Sequence, residues 1–221
     1  MRVVVYAEGA AEASAGEGLP PSPGETLDEL HRGAAHEFVH RLLVDRQPGL
    51  AAELEFLGPL RTQARVPRGS DLRHPKRLRQ LLTWPDHRPH PDLIVVFVDE
   101  DGDAERRSDL TAIVLDAPHV PVLAIPVREF EAWLLADPDA LRDQLGGAPV
   151  HIDNLERLDP GEAKELLQRR IAESPAVRTA RDALGVRRAL AAAASLDRLG
   201  RLDSFRRLRQ DLGQAISRMD G

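Results

Sequence analysis

Leu93-Ile94-Val95-Val96-Phe97-Val98 runs straight into Asp99-Glu100-Asp101-Gly102-Asp103. An unbroken apolar run of this length predicts a strand covered on both faces, as in a parallel sheet. Working outward, Arg2–Ala7 predicts a similar buried strand that stops at Glu8-Gly9, and Leu54–Leu60 and Val120–Val127 predict two more. Residues 9–25, rich in Gly, Pro, Ala and Ser, read as a long loop. Leu27, Leu30, Ala34, Phe38 and Leu42 recur at helical spacing, opened by the capping box Thr26-x-x-Glu29 and closed at Gln47-Pro48-Gly49. Ser70 or Asp71 caps a short basic helix ending near Leu82, ahead of a loop from Trp84 to Pro91. A helix is expected through about Leu115, another over Glu129–Leu135, and Asp137-Pro138 restarts one with proline in its first turn.

Strands alternating with helices predict an α/β fold, a parallel sheet flanked by helices. From about His151 the strand signals vanish. Helices over 160–173, 178–195 and 204–218, the last capped by Ser204, predict a helical C-terminal extension. The chain is therefore divided into an α/β domain over 1–150 and an extension over 151–221 packed on it.

The 221 residues are 42% hydrophobic and 30% charged, with a mean hydropathy of -0.34, the composition of a soluble globular protein. The apolar runs are strand-sized, far short of the roughly 20 residues a bilayer requires. The N-terminus is too short and too acidic for a secretion signal, so a cytoplasmic location without a membrane partner is expected. The absence of cysteine excludes disulfides, thiolate metal sites and cysteine catalysis. A net charge of -6 conceals two basic tracts. Residues 61–90 hold eight Arg and Lys against two acids, and residues 176–218 hold ten Arg against four. Because 28 of the 30 bases are arginine, the tracts fit a compositional bias as well as they fit phosphate binding.

Ligands of parallel α/β sheets collect at the carboxyl ends of the strands. Here those ends carry Glu8, then Asp99 and Asp101, then Glu129 and Glu131, with Glu12 four residues past Glu8. Two unit charges 4 Å apart repel by about 4 kcal/mol at an effective dielectric near 20, so such a cluster calls for protons or divalent cations. Hard oxygen ligands suit Mg²⁺ or Mn²⁺, and two such ions are a standard device for cleaving phosphodiesters. Asp99-Glu100-Asp101-Gly102 also has the composition of a plain polar turn. An EF-hand does not fit, because the twelfth position counted from Asp99 is Leu110. His36 and His40, spaced i and i+4, read as packing or surface residues rather than a zinc pair, and His87 and His90 as exposed loop residues.

A strand ending in Glu8-Gly9, with a strand ending Asp99-x-Asp101 some ninety residues later, resembles the Toprim domain. Glu8-Gly9-Ala10-Ala11-Glu12 looks like the Glu-Gly-x-x-Glu form of its OLD-nuclease branch. The run Glu129-Phe130-Glu131-Ala132-Trp133-Leu134-Leu135-Ala136-Asp137 closely resembles the signature of the DUF4276 family of small bacterial Toprim-like proteins. The resemblance implies a Toprim-like sheet with Glu8 as general acid/base or first metal ligand. It implies Asp99 and Asp101 as ligands, with Asp103 a third, Glu12 as a ligand of the second Mg²⁺ or Mn²⁺, and Glu131 lining the same mouth. Lys164 stands for the lysine that OLD-type sites place near the scissile phosphate. Arg73, Lys76, Arg77 and Arg79 would hold the nucleic-acid backbone, DNA ahead of RNA, without reading sequence.

Strand passage would need a nucleophilic tyrosine, and the only one, Tyr6, lies inside the first strand. Metal-dependent phosphodiester hydrolysis is the chemistry that remains, in a defence or toxin-like system with a partner ATPase, as the family's relatives suggest. Two alternatives stand beside it: a phosphatase of the haloacid-dehalogenase type with Asp99 as nucleophile, and a non-catalytic Toprim-like subunit of a larger complex.

Overall fold

Leu93, Val95 and Phe97 join one apolar cluster while Ile94, Val96 and Val98 join another, so the strand alternation feeds two cores. The computed structural model describes residues 1–14, 22–61, 65–83, 90–115, 117, 121–149 and 151–219. Four strands, β1 (Arg2–Ala7), β2 (Glu55–Leu57), β3 (Leu93–Phe97) and β4 (Pro121–Ala124), pair in parallel in the order β2-β1-β3-β4. The strand order therefore reverses direction between β1 and β3.

On one face lie α3 (Ser70–Arg73), α4 (Pro75–Thr83) and α5 (Ala104–Leu115), which bury Leu72, Leu78, Leu82 and Leu110 against Tyr6, Ile94 and Val96. The opposite face is covered by α2 (Ala34–Arg46), α6 (Glu131–Leu134), α7 (Pro138–Leu145), α8 (Glu162–Glu173), α9 (Ala180–Ala193), α10 (Leu196–Leu199) and α11 (Asp203–Met219). One more short helix, α1 (Ala10–Ala13), follows β1. At the centre of the larger cluster, Trp133 meets Phe205 edge to face at 5.1 Å and Phe38 at 5.8 Å. The Trp133 indole N–H donates to the buried Ser204 hydroxyl at 2.9 Å, which satisfies its one polar atom. The C-terminal helices thus share a single core with the sheet. No helix among the described residues is long and apolar enough to cross a membrane.

Several local readings change. The segment read as loop after Glu8 begins with α1. The Thr26 capping box does not form, because Thr26 bridges Leu57 and the Leu27 amide donates to the Phe56 carbonyl, holding the chain extended. Asp28 instead caps a single 3-10 turn over Glu29–His31, and α2 starts after Gly33, which leaves Leu30 68% exposed. The basic helix is broken at His74 ahead of Pro75 into α3 and α4. Ser204 is not the cap of α11; the Glu156 carboxylate accepts from the Asp203 and Ser204 amides at 2.9 and 2.8 Å and takes that role. The loop residues 84–89, His87 among them, the loop positions 15–21 and Val120 lie outside the described residues.

Candidate functional site

Parallel register sets the site. Ala7 pairs with Phe97 and Phe97 with Ala124, so the carboxyl ends of β1, β3 and β4 are level. The ladder runs on into the loops: the Glu8 amide donates to the Phe97 carbonyl at 3.1 Å and the Val98 amide to the Ala124 carbonyl at 3.0 Å. Glu8 and Asp99 therefore emerge side by side at the switch point between β1 and β3, where open α/β sheets place ligands. The Asp99 amide donates to Glu8 Oε2 at 3.3 Å.

Arg73, the last residue of α3, reaches both strand ends. Its Nη2 pairs with Glu8 Oε1 and, at 2.9 Å, with Asp101 Oδ2. Arg106 of α5 donates to the Asp99 carbonyl at 2.5 Å and lies 3.3 Å from Asp101 Oδ2. Asp101 holds a positive φ of 50° and Arg128 one of 67°, and the Asp101 amide donates to the Arg128 carbonyl at 3.3 Å. Such a conformation is tolerable for Asp but costly for Arg, and strain of this kind concentrates at functional loops.

Glu12 folds back from α1 onto the Gly9 amide at 3.3 Å. A Cβ at Gly9 would displace the Glu12 carboxylate, and one at Gly33 would run into backbone at Glu12, Ala13 and Ser14, so Gly33 lets α2 approach the end of α1 and Gly9 leaves room for the Glu12 carboxylate. Glu131 enters from α6, paired at 2.8 Å with the buried Arg187 of α9. Burial, with Glu12, Glu131 and Asp101 close by, pushes Asp99 up to about 8 despite the Phe130 amide that donates to it at 2.9 Å. Burial and the Glu131 charge likewise push Glu12 up to about 7, against the Gly9 amide, Arg187 and Lys164. Among the described residues neither Asp99 nor Glu12 has an ion-pair partner.

Glu8, Glu12, Asp99, Asp101 and Glu131 are thus brought to one mouth, with Lys164 on an exposed turn of α8 within electrostatic reach of Glu12. Asp103 turns to α5, where it accepts the Arg106 amide at 3.2 Å and faces the Arg106 side chain at 3.5 Å. Glu129 also leaves the cluster. It accepts the Lys164 amide at 2.9 Å and supplies the cap that Gly161 lacks at the start of α8. Lys76, Arg77 and Arg79 form the exposed face of α4, Arg77 paired with Asp71 at 2.9 Å. Tyr6 is fully buried, its hydroxyl accepting the Leu60 amide at 3.1 Å and its acidity suppressed by burial. His36 is buried and neutral, pushed down to about 3 by burial with Arg32 and Arg188 adding to it, and its Nδ1 accepts the Gly33 amide.

The donor set is all carboxylate, which suits a hard divalent cation. Among the described residues no three such groups already form a ready coordination sphere. Arg73 and Arg187 hold three of the five acids instead. Neither Arg106 nor Arg187 was legible as a site residue: the first sits at ordinary helical spacing from Asp103, and the second is 56 positions from its partner. No protein-family model, no curated protein and no solved structure matches the chain.

Proposed function

We propose that the chain is a Mg²⁺- or Mn²⁺-dependent phosphodiester hydrolase acting on nucleic acid. The observation that carries this reading is the meeting of Glu8, Asp99 and Asp101 at the β1–β3 switch point beside the buried Glu12, where neither Glu12 nor Asp99 forms an ion pair among the described residues. Glu8, Asp99 and Asp101 would hold the first cation, and Glu12, with Glu131 beside it, would serve a second. Bound divalent cations supply Lewis-acid stabilisation of charge on the phosphorus centre and acidify bound water. Glu12, tuned to about 7, is suited to holding or releasing a proton at neutral pH. The exposed basic face of α4 would track the phosphate backbone by charge alone. The resemblance to OLD-type proteins adds DNA as the first substrate to try, a partner ATPase, and a defence or toxin-like setting.

Purified protein incubated with Mn²⁺ and plasmid, linear duplex, single-stranded DNA or RNA tests the reading. Cleavage that chelation abolishes and that Asp99→Asn lowers by about a hundredfold or more is expected. Intact substrates throughout, with Asp99→Asn indistinguishable from wild type, would assign the fold to a non-catalytic subunit.

A further inference from the structure

One guanidinium holding two carboxylates from different strands is itself a cation bound at the switch point. Arg73 contacts Glu8 Oε1 and Asp101 Oδ2 through the same nitrogen, so it stands where an ion bridging β1 and β3 would sit. Beside it, Glu12 is only 7% exposed and among the described residues forms no ion pair, Arg187 and Lys164 acting on it only at longer range, while its charge is felt at Asp99. The acid cluster is therefore only partly neutralised. Resting on the reading above, we infer that Arg73 is a displaceable counter-ion: it holds the acids in the cation-free chain, yields its place to a divalent cation, and is then free to take a substrate phosphate.

The geometry makes the exchange cheap. The Arg73 side chain is 40% exposed and its Asp101 partner 34%, so the Asp101 half of the bridge contributes little, and the Glu8 half, where the carboxylate is 10% exposed, is the one the cation must replace. A divalent ion brings twice the charge to the same oxygens. Arg73 also ends the four-residue α3 at the His74–Pro75 break, so its side chain leaves the cluster without disturbing the buried Leu72 and Leu78 on either side. Once released it adjoins the exposed face of Lys76, Arg77 and Arg79, where a guanidinium fork binds phosphate oxygens bidentately. Arg106 stays behind on the Asp99 carbonyl, so the loop keeps its shape.

Calorimetric titration of Mn²⁺ into wild type, Arg73→Gln and Arg73→Lys tests this directly. The inference expects Arg73→Gln to bind Mn²⁺ tighter by about tenfold or more, since one competing unit charge has gone. Arg73→Lys, which keeps the charge but lacks the planar fork, should fall between the two, and it carries the test if Arg73→Gln melts early. Equal affinity in all three proteins would overturn the inference while leaving the cation site standing. Weaker binding in Arg73→Gln would make Arg73 a structural support and overturn it as well. No Mn²⁺ binding in any of them would remove the cation site itself, and this inference with it.

Discussion

Burial desolvates Asp99, which receives one backbone N–H from Phe130, while Glu12, Glu131 and Asp101 add like charge around it. Its folded pKa, about 8, lies above the ordinary 3.8, so the native state binds the proton more tightly than the unfolded chain does. Stability from that proton is full at low pH and is lost as pH rises toward 8. Glu12, at about 7, acts with the same sign. His36 has the opposite sense: held near 3 against its ordinary 6.5, it lowers stability only as pH falls below 6.5. Between about pH 6.5 and 8 the two acids therefore act without the histidine. The melting temperature of cation-free protein should fall across that interval, and the double variant Glu12→Gln/Asp99→Asn should flatten the slope, as thermal scans in a pH series would show. A slope unchanged by the double variant would mean that other groups set it.

Elements were legible where a single periodicity decided them, and the site where charge stood at a strand end. β1, β3, α2 from Ala34 onward, α5, α8, α9 and α11 all carry their own signal, and Glu8, Asp99 and Asp101 follow from strand ends alone. Two helix caps were not legible, because they come from elsewhere in the chain: Glu129 for α8 and Glu156 for α11. No local pattern announces such a partner. The same holds for Arg187, which reaches Glu131 across the α6–α9 contact with both side chains under 10% exposed. Breaking one side of a buried pair leaves an uncompensated charge. Arg187→Met should cost roughly 3–5 kcal/mol in denaturant unfolding at neutral pH, and adding Glu131→Gln should restore part of it. An Arg187→Met protein as stable as wild type would contradict the pairing.

At the scale of the whole molecule, the helical extension after residue 150 packs into the core that covers one face of the sheet. Phe205, Leu208 and Leu212 of α11 belong to the same cluster as Phe38, Phe97 and Trp133. That packing fixes α6, and with it the entry of Glu131 into the mouth. Phe205→Ala should destabilise the entire chain by roughly 3–5 kcal/mol in one cooperative transition. A chain ending at residue 150 should fail to give dispersed amide resonances. The direct test of the carboxylate mouth is a crystal soaked in Mn²⁺ and measured at the manganese edge. An anomalous peak bounded by Glu8, Asp99 and Asp101, with Arg73 turned away, is the predicted result. Density without a peak, and Arg73 still seated on Glu8 and Asp101, would contradict it.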